Sequence, residues 1–185
     1  MLGRGMIYRW RRPLLGFLFI YVAGASVFLA TGWSGDSRLP SGAQAESSPD
    51  ADTKFYKLVF EDFEGTERSF NSFAGRPFVV NFFASWCAPC VEEMPYFQRL
   101  HEVRGGTIQI IGLAVEGLRP ARNLVQSTGV TYQVGLDKSD LLIEFGGVAM
   151  PTTAFVSKDG ELLETHSGII TYEDLLSRVN ELFDG

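Results

Sequence analysis

Residues 54–185 predict an α/β domain built on a central mixed sheet, and three observations carry that reading. Two continuous apolar runs, Pro77–Ala84 (PFVVNFFA) and Thr107–Val115 (TIQIIGLAV), have the length and residue types of strands covered on both faces. Between them, Ala88–Val103 repeats apolar residues at every third position, as a buried helix face does. Towards the C-terminus, Lys158-Asp159-Gly160 separates two strand-like stretches as a hairpin turn does, and a helical stretch closes the chain. A buried β-α-β unit followed by a hairpin and a helix makes an α/β fold.

Each element follows from its residues. Phe55–Phe60 reads as a strand, Glu61-Asp62 with Glu64-Gly65 as a turn, and Thr66–Phe70 as a second short strand, so a β-hairpin precedes the main unit. Pro77–Ala84 is the central strand. In the helix over Ala88–Val103, the predicted buried face is Val91, Met94, Phe97, Leu100 and Val103. Pro95 removes an internal hydrogen bond there and predicts a bend. Thr107–Val115 is the next strand. Arg119–Thr128 is a helix ended by Gly129. Thr131–Gly135 is a short strand, and Ser139–Phe145 a short helix stopped by Gly146-Gly147. Thr152–Val156 and Glu161–His166 are the hairpin arms. Thr171 caps a last helix through Phe183, with Asp174 three residues on.

Composition narrows the function. A chain of 185 residues suits one domain with an appendage. Its apolar fraction of 45% supports a real core, and 2 Cys cannot build a disulfide framework. Residues 1–50 hold five bases and three acids, a net of +2, whereas residues 51–185 hold eleven bases and nineteen acids, a net of −8. An acidic domain repels phosphates, so nucleic acid is not an expected partner.

The N-terminal segment is expected to face the membrane. Pro13–Ala30 has no charged residue, long enough for a helix to cross a bilayer. Four arginines precede it and none follows before Arg38, which predicts a cytoplasmic N-terminus and an exported domain. Tyr8, Trp10 and Trp33 suit the two interfaces. The run exceeds a signal-peptide core, and the Ala43-Gln44-Ala45 cleavage match lies far beyond it, so a retained anchor is favoured. The expected organisation is a basic cytoplasmic segment at 1–12, a transmembrane signal anchor at 13–31, a flexible Ser/Gly/Pro/Ala-rich linker at 32–53 and the α/β domain at 54–185.

Both cysteines lie in Trp86-Cys87-Ala88-Pro89-Cys90, between the central strand and the first helix. At a helix N-terminus, free N–H groups and the helix dipole favour a thiolate, which makes Cys87 the nucleophile. Cys90, one turn inward, is placed to attack a mixed disulfide on Cys87. Half a zinc site is one alternative, but there is no second pair, and His101 and His166 are distant in sequence. An inert structural bridge is another, but so short a loop restrains the unfolded chain little. Redox chemistry is the favoured reading.

VVNFFASWCAPC resembles the active site of the thioredoxin superfamily, and Pro95 matches that family's kinked helix. Gly147-Val148-Ala149-Met150-Pro151-Thr152-Thr153, followed by Asp159-Gly160 and Gly168, resembles its second landmark. The resemblance implies a thioredoxin-like fold over residues 54–185, a cis bond before Pro151, and a redox-active Cys87–Cys90 disulfide with no other cofactor and no metal. Within the superfamily the chain is most similar to the membrane-anchored TlpA/ResA/CcmG group, exported thiol-disulfide oxidoreductases of which several serve cytochrome c maturation or cytochrome oxidase assembly. Asn81 occupies the position where cytoplasmic thioredoxins carry a buried Asp, so another base is needed to deprotonate Cys90. Glu116, ending the second central strand, is the candidate; burial there would suit it to proton transfer.

The resemblance also implies direction and partners. Ala88-Pro89 offers no group that strongly stabilises the reduced form, so a reductant of disulfides in exported, periplasmic proteins is expected, supplied with electrons by a membrane donor of the DsbD/CcdA type. The partner protein would dock at Trp86, Pro89, Met150 and Pro151. The rival readings are a disulfide oxidase or isomerase, and a Cu(I) carrier using Cys87, Cys90 and His166. A peroxidase lacks support, since no Thr-x-x-Cys surrounds Cys87.

Overall fold

In a computed structural model, which describes residues 55–185, the two apolar runs become neighbouring parallel strands at the centre of a seven-stranded sheet. The basic segment, the expected anchor and the linker all lie outside the described residues. Among the described residues, no helix is long and apolar enough to cross a membrane.

The strands are β1 (Val59–Asp62), β2 (Glu67–Ser69), β3 (Phe78–Phe83), β4 (Gln109–Ala114), β5 (Gln133–Leu136), β6 (Thr152–Val156) and β7 (Leu162–Ser167). The helices are α1 (Ala88–Arg104), α2 (Leu118–Thr128), α3 (Leu141–Glu144) and α4 (Tyr172–Phe183). Strand order is β2-β1-β5-β4-β3-β6-β7. β3, β4 and β5 are parallel, while β1, β2, β6 and β7 pair antiparallel to their neighbours, so the sheet is mixed as expected.

All six residues of β3 are buried because both faces of the sheet are covered. Val79, Phe83 and Phe155 face a core shared with α1, α2 and α4. Phe78, Val80 and Phe82 face an aromatic cluster of Phe60, Phe70, Phe73 and Phe145. Phe70 stacks on Phe78 at 5.5 Å between centroids and meets Phe145 at 5.4 Å, so the hairpin is anchored by ring packing.

Several local expectations shift. Phe55–Lys57 is a 3-10 turn, and β1 begins only at Val59. Phe55 and Tyr56 are consecutive and both buried, which a strand's alternation cannot achieve against a single core. Tyr56 also donates its hydroxyl to the carbonyl of Lys158, which draws the segment across the sheet. Phe70–Phe73 is a second 3-10 turn, capped by the Ser69 hydroxyl accepting from the Asn71 N–H. On α1, Val103 is 63% exposed rather than buried. A strict three-residue spacing falls short of a full turn by about 60° per step, so five such positions drift off the face. The buried stripe runs instead through Cys90, Glu93, Met94, Phe97 and Leu100.

The terminators act as expected. Gly129 adopts φ 68° and its N–H donates to the Val125 carbonyl. The Thr171 hydroxyl accepts from the Asp174 N–H at the start of α4.

Candidate active site

The end of β3 leads directly into the redox motif. Ala84 closes the strand, the Cys87 N–H donates to its carbonyl at 3.1 Å, and Cys87 becomes the N-cap of α1. Cys87 and Cys90 form a disulfide, with Cα atoms 5.3 Å apart. The Cys87 sulfur accepts from the Cys90 N–H at 3.3 Å, so an amide of the first helical turn points at the sulfur that would carry negative charge. Cys87 is 6% exposed and Cys90 fully buried, which places Cys87 outermost.

The other site residues surround this end of the helix. Trp86 is 67% exposed and Pro89 is exposed. The Met150–Pro151 bond is cis. Pro151 is buried, and Met150 packs against the core cluster that includes both cysteines. The Pro151 carbonyl accepts from the Gly168 N–H at 2.8 Å, which ties the turn before β6 to the end of β7.

Glu116 follows β4 and is half-buried, less enclosed than the sequence reading assumed. It braces the loop that presents the cysteines: its Oε1 accepts from the Ser85 N–H at 2.6 Å and its Oε2 from the Ser85 hydroxyl at 2.9 Å.

A second carboxyl, Glu93, lies deeper and is not among the residues that the sequence singles out. Glu93 is fully buried on α1, one turn after Cys90 on the same stripe. Its Oε1 accepts from Asn81 Nδ2 at 2.6 Å and its Oε2 from the Ile170 N–H at 3.1 Å. Burial pushes the carboxyl up from 4.5 to about 7, even though both hydrogen bonds pull the other way. One signal was available in the sequence. Stepping alternately three and four residues from Cys90 along a helix puts a glutamate among core positions, where a charge is rare unless it has work to do.

His166 sits on β7 and contacts the Ile169 carbonyl through Nε2 at 3.3 Å. Among the described residues, no group of three His, Cys, Asp or Glu side chains is arranged to hold a metal ion.

This geometry suits thiol–disulfide exchange. An outer sulfur faces a helix amide, an inner sulfur can resolve, and a proton-active carboxyl sits one turn behind.

Comparison with known proteins agrees. The Redoxin family model matches residues 17–179. The thiol-disulfide oxidoreductase ResA of Geobacillus thermodenitrificans is 28% identical over 128 residues, which covers 68% of this chain and 74% of that protein. ResA of Bacillus anthracis is 32% identical over 121 residues, covering 64% of this chain and 70% of that protein. Among solved structures, a thiol:disulfide interchange protein of the thioredoxin family from Chlorobium tepidum superposes with a TM-score of 0.61 at 26% identity, covering 69% of this chain and 93% of that one. MTB dsbF superposes with a TM-score of 0.63 at 22% identity, covering 69% of this chain and 96% of that one, and shows the shared fold. With its disulfide at the head of α1, the chain belongs to the Redoxin family and is a TlpA/ResA/CcmG-like thiol-disulfide oxidoreductase of the thioredoxin superfamily.

Proposed function

We propose that this protein reduces disulfides in exported proteins, tethered to the membrane by residues 13–31 with its catalytic domain on the extracytoplasmic side. The observation that carries the chemistry is the buried Glu93 one turn behind Cys90 on α1. In the reduced protein, the Cys87 thiolate attacks one sulfur of the substrate disulfide. A Cys87–substrate bond forms and the other substrate sulfur leaves as a thiolate. The Cys90 thiol passes its proton to Glu93, and its sulfur attacks Cys87 Sγ. The Cys87–Cys90 bond forms, the second substrate thiolate leaves, and two electrons have moved to the substrate. The departing thiolates take up protons from solvent.

A carboxyl held near 7 is matched to this transfer, because it both accepts and releases a proton near neutral pH. The redox-active disulfide is the only cofactor this cycle needs. Trp86, Pro89, Met150 and Pro151 form the docking face. Glu116 serves through Ser85, holding the loop that aims Cys87. Electrons reach the Cys87–Cys90 disulfide from a membrane donor of the DsbD/CcdA type, since an oxidising compartment offers no thioredoxin pool. Cytochrome c maturation and copper-site assembly are the two substrate settings consistent with the family.

The deciding experiment is the reduction potential of the full chain, equilibrated with dithiothreitol and glutathione buffers. A value near or below thioredoxin's ~−270 mV supports the reductant. A value near DsbA's ~−120 mV reverses the direction and makes the protein an oxidant.

A further inference from the structure

Glu93 meets, through Asn81, one row of residues across the sheet. Asn81 on β3 pairs in register with Thr153 on β6 and with Gly112 on β4. Residues in register share a sheet face, so this row lies under α1, where Asn81 meets Glu93. Gly112 leaves an opening that the ring of Tyr132 fills. A Cβ added at Gly112 would stand 3.0 Å from Tyr132 Cε2 and 3.1 Å from Phe83 Cε1. Tyr132 is 3% exposed and joins the core cluster that holds both cysteines. Its hydroxyl is buried with no hydrogen-bond partner among the described residues, as are Asn81 Oδ1 and Thr153 Oγ1.

A buried hydroxyl without a partner costs free energy, and phenylalanine would fill the same space without that cost. The groups near Glu93 come from several elements. Cys90 and His101 lie on its own helix, and His101 meets the Tyr132 ring at 6.5 Å between centroids. β3, β4 and β6 contribute Asn81, Gly112 and Thr153, none of which titrates. The segment entering α4 contributes the Ile170 N–H, and Tyr172 beyond it stacks under Arg99. Tyr132 is thus the titratable group brought to this chamber from the β4-to-β5 side. Its hydroxyl is held above the ordinary 10.0 by burial first and then by the Glu93 charge.

We propose that Tyr132 is a positioning residue of the exchange reaction: its ring closes the chamber around Glu93, and its hydroxyl sets the pH at which that acid changes from proton donor to proton acceptor. This role rests on the proton transfer assigned to Glu93. A hydroxyl dipole beside a carboxylate favours the charged form, so removing it makes Glu93 hold its proton to higher pH.

The test is the rate at which Cys90 resolves a Cys87–glutathione mixed disulfide on the full chain, followed from pH 5 to 9. Wild type should show an inflection from Glu93. Tyr132→Phe should move that inflection upward by about half a unit to one unit, with the thermal midpoint unchanged or raised. Glu93→Gln should remove the inflection, and adding Tyr132→Phe to it should change nothing more. Infrared titration of the Glu93 carboxyl band in isotopically labelled protein reads the same shift without relying on turnover. An inflection and band unmoved by Tyr132→Phe, but abolished by Glu93→Gln, would overturn the role of Tyr132 alone. An inflection that survives Glu93→Gln would overturn the assignment of Glu93, and with it that of Tyr132.

Discussion

Asn81 on the central strand donates its amide to Glu93 on the first helix over 2.6 Å, in an interior where both side chains are fully buried. An amide cannot exchange a proton with a cysteine, but it can hold a carboxyl in place. The pair therefore sets a buried carboxyl on the helix, one turn from Cys90. The second hydrogen bond, from the Ile170 N–H, comes from a segment 77 residues away. Glu93 is thus fixed from the sheet and from the entrance to α4 together.

That enclosure makes stability depend on pH. Unfolded, the carboxyl titrates near its ordinary 4.5; folded, near 7. The folded chain binds this proton more tightly, so its contribution is full below pH 4.5 and is lost as pH rises through 7. The loss is about 3 kcal/mol. Glu93→Gln should flatten the curve across this window and leave the oxidised chain more stable than wild type at pH 8. Urea unfolding of both proteins at pH 5 and pH 8 measures the difference. Asp62 acts with the opposite sign: hydrogen bonds, led by the Thr66 N–H, hold its carboxyl below 3.8. Its stabilisation is lost only as pH falls below about 4, outside the Glu93 window.

The burial difference between the two sulfurs predicts different trapped states. Cys90→Ser should accumulate a stable Cys87 mixed disulfide with a disulfide-bonded peptide, seen as an added mass that dithiothreitol removes. Cys87→Ser should form far less adduct, because Cys90 is fully buried. Each single variant should lose essentially all turnover, at least ~1000-fold, since neither thiol alone completes the two-step exchange.

Glu116 holds the Ser85 backbone and hydroxyl rather than lying in the core. Glu116→Ala should slow disulfide reduction by roughly 2- to 10-fold, the range expected for lost hydrogen bonds that orient a reacting group. The pH inflection assigned to Glu93 should stay in place. A steady-state pH profile distinguishes this outcome from loss of a proton-transfer group, which would erase the inflection.

Gly135 tests the seam between the hairpin and the main sheet. A Cβ there would stand 2.6 Å from Phe60 Cδ2 and 2.7 Å from the Glu61 carbonyl oxygen. The oxygen belongs to the backbone of the neighbouring strand and cannot turn aside. Gly135→Ala should therefore destabilise the chain by about 1–3 kcal/mol, read as a lower urea midpoint, with little change in the Cys87–Cys90 potential.

Much of this molecule was legible before any tertiary contact was known. Period and composition placed the buried strands, the helices, the Gly129 and Thr171 termini and the cysteine motif, because each reflects a preference expressed over a few residues. Val103 was misplaced where a three-residue repeat outran the true helical turn. Phe55–Lys57 was misread because packing on the far side of the sheet overrode a local strand preference. Glu93 escaped notice for a different reason. A glutamate on a helix is ordinarily solvated, and its significance depends on Asn81 and Ile170 meeting it from two other segments. Burial is a property of the assembled fold, and it raises the Glu93 carboxyl into the range where it can move a proton. The chain by itself determined that two cysteines would head a helix; the tertiary structure decided which acid stands behind them.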